Sequence, residues 1–194
     1  MPRRLVLVGV VAFGVALVLA LAEAGSGPAG ETRAARDASA AREALWSFDE
    51  FPLYDAGARV DGLSLVAVRR REDTADFVSF VYGDCGAGDD AGCAPPAEIQ
   101  VWPACRRTLA LYESSGSDGV SPQRVVVRGV TAGLFDEGTR LELETRGATV
   151  VVFGDAWARV LRIANALRAL DGSVRAGEPL PPPERTRIGG AMEC

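Results

Sequence analysis

Leu5 to Ala22 is an uninterrupted apolar run of 18 residues, preceded by Arg3 and Arg4 and closed by Glu23. A helix that buries one face in a soluble core carries polar residues every three or four positions. This run carries none. At 1.5 Å per residue it makes about 27 Å of helix, close to the roughly 30 Å hydrocarbon core of a bilayer. The chain is therefore expected to begin with a single transmembrane segment, residues 1–24, and to fold only beyond it. The arginines ahead of the run stay in the cytoplasm and the rest of the chain is exported. Cleaved signal peptides usually carry only about 7–15 apolar residues, so a retained signal-anchor at the cell membrane is expected. The alternative is cleavage near Ala24 and secretion, because Ala22 and Ala24 place small residues where a signal peptidase reads. No cysteine follows the run to accept an N-terminal lipid.

Cysteine usage agrees with export. Cys85, Cys93 and Cys105 fall within 21 residues, in a stretch rich in glycine, aspartate and proline. In an exported chain that spacing reads as a disulfide-stapled loop. The expected bridge is Cys85–Cys93, closing a short loop over Gly86, Gly88 and Gly92; Cys93–Cys105 is the alternative pairing. Cys194, the fourth cysteine, could join two chains through a terminal thiol, and the simpler reading gives it no role.

Composition excludes several function classes. The 194 residues contain no histidine, which removes Ser-His-Asp and Cys-His hydrolases, His-ligated zinc enzymes and histidine proton shuttles. The net charge of −5 argues against a nucleic-acid partner, which needs a basic face. All 21 basic residues are arginine, and the absence of lysine reads as codon usage rich in G and C.

Beyond a small, flexible spacer from Gly25 to Gly30, Thr32 to Trp46 is rich in alanine and arginine and free of glycine and proline. It is expected to be a stalk helix within a linker over residues 25–47. The folded domain is expected over 48–172. Strands are predicted at Leu63–Val68, Phe77–Tyr82, Glu98–Trp102, Arg124–Arg128, Arg140–Thr145 and Thr149–Phe153. The fourth, fifth and sixth differ in kind. Val125, Val126 and Val127 form an apolar bracket; Leu141 and Leu143 alternate with outward Arg140, Glu142 and Glu144; Thr149–Phe153 is apolar throughout and belongs in the middle of a sheet. Arg106–Tyr112 suggests a short helix. A long helix is predicted from an N-cap at Asp155, through Trp157, Val160, Leu161, Ala164 and Leu167, to a stop at Asp171-Gly172. Residues 173–194, mostly proline from Pro179 to Pro183, read as a disordered tail. The expected class is α+β: a largely antiparallel sheet of about six strands with one C-terminal packing helix.

No motif in this frame specifies chemistry. Gly86 to Gly92 resembles a dinucleotide loop, but its last gap holds three residues instead of two, and Asp89 and Asp90 would repel a pyrophosphate. Asp84, Asp89 and Asp90 are oxygen ligands of the calcium type, too few for a six- to eight-coordinate ion without backbone help. The cysteines lack the Cys-x-x-Cys spacing of redox proteins. Asp49-Glu50 and Asp136-Glu137 fit turns, and Phe80, Tyr82 and Trp102 fit a core. No catalytic, cofactor-binding or metal-binding residue is expected.

The run Tyr82-Gly-Asp-Cys85, followed by Cys93-Ala-Pro-Pro96 and Gln100-Val-Trp-Pro-Ala-Cys105, resembles a group of exported or membrane-anchored proteins of high-GC bacteria. The likeness extends over Leu53 to about Leu170 and implies no activity. Thr149–Leu170, a strand running into a helix, is also similar to the C-terminal part of exported envelope and regulatory domains. The functional expectation is a membrane-anchored extracytoplasmic domain that binds other envelope components without catalysis. The alternative is a secreted envelope enzyme using thiol/disulfide or carboxylate chemistry.

Overall fold

The computed structural model describes residues 32–71, 76–85, 93–107 and 122–183. Residues from Arg33 onward form one compact unit. The segment Leu5–Ala22 lies outside the described residues, and among these no helix is long and apolar enough to cross a membrane.

The chain is α+β. Among the described residues there are ten strands: β1 (Tyr54–Asp55), β2 (Arg59–Val60), β3 (Leu63–Arg71), β4 (Phe77–Tyr82), β5 (Ala97–Pro103), β6 (Gln123–Val127), β7 (Val130–Phe135), β8 (Arg140–Thr145), β9 (Ala148–Gly154) and β10 (Arg168–Ala169). Among the described residues two α-helices accompany them, α1 (Arg33–Ala44) and α2 (Trp157–Ala166). Eight strands make one antiparallel sheet in the order β2-β3-β4-β5-β9-β8-β7-β6, and β1 pairs antiparallel with β10. All six expected strands are there. β1, β2, β7 and β10 were not anticipated.

Two hairpins explain how β2 and β7 join the sheet. Asp61-Gly62 connects β2 to β3 with φ of +50° and +80°, and Arg128-Gly129 connects β6 to β7 with +50° and +87°. Positive φ at both central positions is the two-residue turn whose twist matches that of paired strands.

Alternation decides which face is buried. In β5, Ala97, Ile99, Val101 and Pro103 are buried while Glu98, Gln100 and Trp102 are half-buried. Register carries this across the sheet: Phe80 faces Ile99, which faces Val152, which faces Leu141. One row over, Val78, Val101, Val150 and Leu143 align in the same way. α2 covers this face through Val160, Ile163 and Ala164, joined by Leu53, Leu167, Val174 and Leu180. β9 lies between β5 and β8, and its Val150, Val151 and Val152 are all fully buried, so it is central as its uniform apolarity implied.

Several expectations need correction. α1 is not a free stalk: it lies against β3, with Ala35 and Ala38 buried and Ala34 against Val66, Ala67 and Val81. Its apolar face is thin because small alanines let the helix approach the sheet closely. The compact unit therefore begins at Arg33 rather than 48. α2 starts at Trp157 after Ala156, which makes no side-chain cap bond, and Asp155 pairs with Arg159 instead of capping. It stops at Ala166, five residues before Asp171, because Arg168 and Ala169 extend to pair with β1. Residues 104–106 form a turn, and the rest of the short helix expected at 106–112 falls largely outside the described residues. Residues 173–183 are not a loose tail. Val174 and Leu180 are buried, and the Leu180 N–H donates to the Arg128 carbonyl at 2.9 Å. The Arg128 guanidinium in turn donates to the carbonyls of Leu167, Arg175 and Glu178. Residues 184–194 lie outside the described residues.

Candidate functional site

The cysteines anticipated from the sequence sit at the connection between β4 and β5. Cys85 and Cys93 form a disulfide with a Cα–Cα distance of 5.8 Å, Cys85 buried and Cys93 exposed. That bond excludes the alternative Cys93–Cys105 pairing. Cys105 is itself disulfide-bonded, and among the described residues no cysteine is free. Asp84 is exposed beside the staple, while Asp89, Asp90, Gly86, Gly88 and Gly92 lie outside the described residues. Among the described residues, no group of three acidic, histidine or cysteine side chains is arranged to hold a metal.

The other sequence candidates scatter. Glu50 pairs with Arg70 at the surface, 2.7 Å away, and Asp49 is exposed. Asp136 and Glu137 sit in a tight 3-10 turn, with Asp136 3.1 Å from Arg140. Phe80 and Tyr82 are core residues. Trp102 is half-buried on the opposite face, stacked on Phe77 at 4.4 Å.

That opposite face carries the first polar constellation that sequence reasoning missed. Ser79 donates to Glu98 at 2.5 Å, Gln100 donates to the same carboxylate at 3.1 Å, and the Trp102 indole donates to Gln100 at 3.3 Å. The Arg107 guanidinium lies over the Trp102 ring at 5.0 Å and donates to both oxygens of Glu142, at 2.6 and 3.1 Å. Arg140 approaches Glu142 to 3.6 Å. Glu142 was expected to face water. It is fully buried, because the face on which it lies is covered as well. The signal was present in the sequence: Val151, its partner on β9, belongs to an uninterrupted apolar strand, so both faces at that row had to be covered.

A second constellation surrounds Asp55, fully buried in β1. Its carboxylate accepts from Arg42 of α1, from Arg168 of β10 at 3.2 Å, and from the Gly57 N–H at 3.1 Å. The Tyr82 hydroxyl beside it accepts from the Ala56 N–H and donates to the Gly57 carbonyl. Burial, reinforced by the Asp55 charge, pushes this phenol well above its ordinary range, so it does not give up a proton near neutrality.

The third constellation ties the β2–β3 turn to α2. Asp61 accepts from Arg159 at 2.8 Å and from Arg162 at 3.0 Å. Bonding to Arg162 first and Arg159 second holds its carboxyl at about 2, against the ordinary 3.8. A carboxyl whose folded pKa lies below its unfolded one stabilises the fold fully above about pH 4 and loses that contribution as the pH falls toward about 2. Asp61→Asn is expected to flatten the fall in Tm over this window, measured by thermal unfolding across the pH series. A curve as steep as that of the unaltered chain would remove Asp61 as its source.

Both buried carboxylates thus have both oxygens engaged by donors of the chain, a geometry suited to joining elements rather than to meeting a substrate. An open cleft of about 310 Å³ lies between the β6–β7 hairpin and Pro182 and Pro183, with Arg124, Thr131 and Glu144 on its wall. Compared with known proteins, the chain matches no family model, no curated protein and no solved structure.

Proposed function

We propose that this protein is a single-pass membrane-anchored domain of the cell envelope, with its N-terminus in the cytoplasm and its α+β domain outside. In this reading it acts by binding other envelope components, and it binds no nucleic acid. The observation that carries the proposal is the Cys85–Cys93 disulfide at the end of the β4–β5 hairpin, joined by an oxidised Cys105. Such bonds persist where thiols are not kept reduced, which in most cells means outside the cytosol. The apolar run Leu5–Ala22 supplies the route and the tether. Binding without catalysis is favoured because the buried carboxylates serve as joints between elements. The likeness of the Cys85–Cys105 stretch to exported proteins of high-GC bacteria supports the same location.

A topology experiment tests this. A phosphatase that folds only in an oxidising compartment, fused after Cys194, is expected to be active, and the chain is expected to stay with membranes through an alkaline carbonate wash. Release of a soluble chain beginning near Gly25 would favour the secreted form instead. A fusion active only inside the cell would overturn the location altogether.

A further inference from the structure

We propose that the proline run Pro179 to Pro183 is a recognition surface for a protein partner that reads prolines with aromatic side chains. The inference rests on the binding role proposed above and deepens it, naming the surface and the chemistry of its partner. Composition reads this run as part of a loose tail; the fold instead fixes it with its rings outward. Pro179, Pro182 and Pro183 are exposed and Pro181 is half-buried, while Leu180 among them is buried in the core at 3% exposure.

Covalent geometry dictates the shape of this segment. Each proline ring fixes φ near about −65°, and a residue preceding a proline is pushed out of the helical region into extended backbone. Glu178, Leu180, Pro181 and Pro182 all precede a proline, so the restriction is nearly continuous. Residues 179–183 belong to no helix or strand, and no peptide bond among the described residues is cis. Such a chain runs as a polyproline II helix, with about three residues per turn. Pro179 and Pro182 therefore share one face, and it is an exposed one. The Leu180 N–H donates to the Arg128 carbonyl at 2.9 Å, and the Pro181 carbonyl accepts from the Arg146 N–H at 3.3 Å. Proline has no N–H, so Leu180 carries the one N–H of residues 179–183, and it is already used. A partner must read the segment through ring surfaces and carbonyl oxygens, as aromatic-lined grooves do. Ordering a free chain costs about 1–2 kcal/mol per residue; here folding has already met that cost, and the partner meets a preorganised ligand.

The surface beside the prolines suits the same contact. The cleft of about 310 Å³ has Pro182 and Pro183 on one side and Val130 and Thr131 of β7 on the other. That volume is at the low end of the roughly 300–1,000 Å³ of small-molecule pockets, and it has room for one aromatic side chain. A ring placed there packs on the proline rings, and the Thr131 hydroxyl can accept from an indole N–H. Val126, 76% exposed and paired with Thr131 across the hairpin, extends the wall with apolar surface. Arg124 and Glu144 also line the cleft and carry opposite charges, so it does not select an ion of one sign.

Titration of the purified full-length chain with N-acetyl-tryptophanamide tests the surface. Carbon-detected NMR of labelled protein in detergent micelles reads the proline signals directly. The probe is expected to shift Pro182, Pro183 and Thr131 saturably, in the millimolar range of a single-ring ligand, and N-acetyl-leucinamide to leave them in place. Pro182→Ala with Pro183→Ala is expected to weaken tryptophanamide binding about fivefold, with the rest of the spectrum unchanged because both rings are exposed. Should that chain lose its folded spectrum, Pro182→Ala alone is expected to weaken binding about twofold. Shifts that are equal for the two amides, that never saturate or that map elsewhere would overturn the proposal, as would undiminished binding by the variants. In cells, Ala176, exposed beside the segment, is replaced by photoreactive benzoylphenylalanine. The expected adduct joins a protein at a peptide bearing tryptophan or tyrosine and is lost with the double substitution; an adduct that survives it would overturn the proposal. The titration uses purified protein and so stands apart from the proposed location. A fusion active only inside the cell would overturn the location and leave the surface, whereas absent ring binding beside an active external fusion would overturn the surface alone.

Discussion

Glu142→Ala is expected to lower the stability of the domain by about 3–5 kcal/mol, the range for removing one partner of a buried ion pair. The carboxylate has no exposure, and the side chains of Arg107 and Arg140 that it neutralises are only 12% and 16% exposed. Neither guanidinium can recover full hydration when the carboxylate is lost, although Arg140 keeps Asp136. Urea unfolding measures the change, with the midpoint shifted and the slope unaltered if the native state stays compact. Glu50→Ala is the internal comparison. Its partner Arg70 lies with it at the surface, where such pairs contribute at most about 1 kcal/mol. Replacing Glu142 and Arg107 together with leucines is expected to recover much of the loss, because an apolar pair of similar volume avoids two desolvation costs. Equal effects at Glu142 and Glu50 would show that Glu142 is solvated in solution.

The elements legible in the sequence are those whose pattern reports their own burial. β5 alternates and β8 alternates in its leucines, β9 is apolar throughout, and α2 repeats at helical spacing; each lies where its pattern placed it. β7 was missed because Thr131 and Gly133 interrupt it, and because its place is set by the Arg128-Gly129 turn rather than by its own side chains. β1 and β10 are two residues each and exist only by pairing with one another across the fold. No local pattern announces such a pair. α2 ended early for the same reason, since its last expected turn is spent on that pairing. The staple at Cys85 and Cys93 was legible from spacing, because a nearby pair in an exported chain has few partners to choose from. The buried carboxylates were not. Asp55 and Glu142 look like surface residues until the arginines opposing them, 13 and 35 positions away in sequence, are brought beside them.

Asp55→Ala is expected to cost about 3–5 kcal/mol as well, through a different failure. Asp55 gathers donors from three places in the chain: Arg42 on α1, Arg168 on β10 and the N–H of Gly57. Arg168 is 42% exposed and can be rehydrated, whereas Arg42 is only 17% exposed. The strain of the substitution therefore falls on α1. That helix is anchored otherwise by alanines, whose small side chains bury little apolar area each. Asp55→Ala is accordingly expected to release α1 before the sheet unfolds. Amide exchange over 33–44 should speed up more than exchange in β9, and trypsin should cut sooner at Arg33 and Arg36, which are exposed in the folded chain. Arg42→Ala is expected to reproduce the faster exchange of α1 with a smaller global loss, because Asp55 keeps Arg168 and Gly57. If both substitutions leave exchange in α1 unchanged while stability falls, the helix is held by its alanines alone and Asp55 supports only the β1–β10 pair. The two outcomes differ in where the fold first opens, and so decide whether the segment that leads into this domain is fixed to it by charge or by packing.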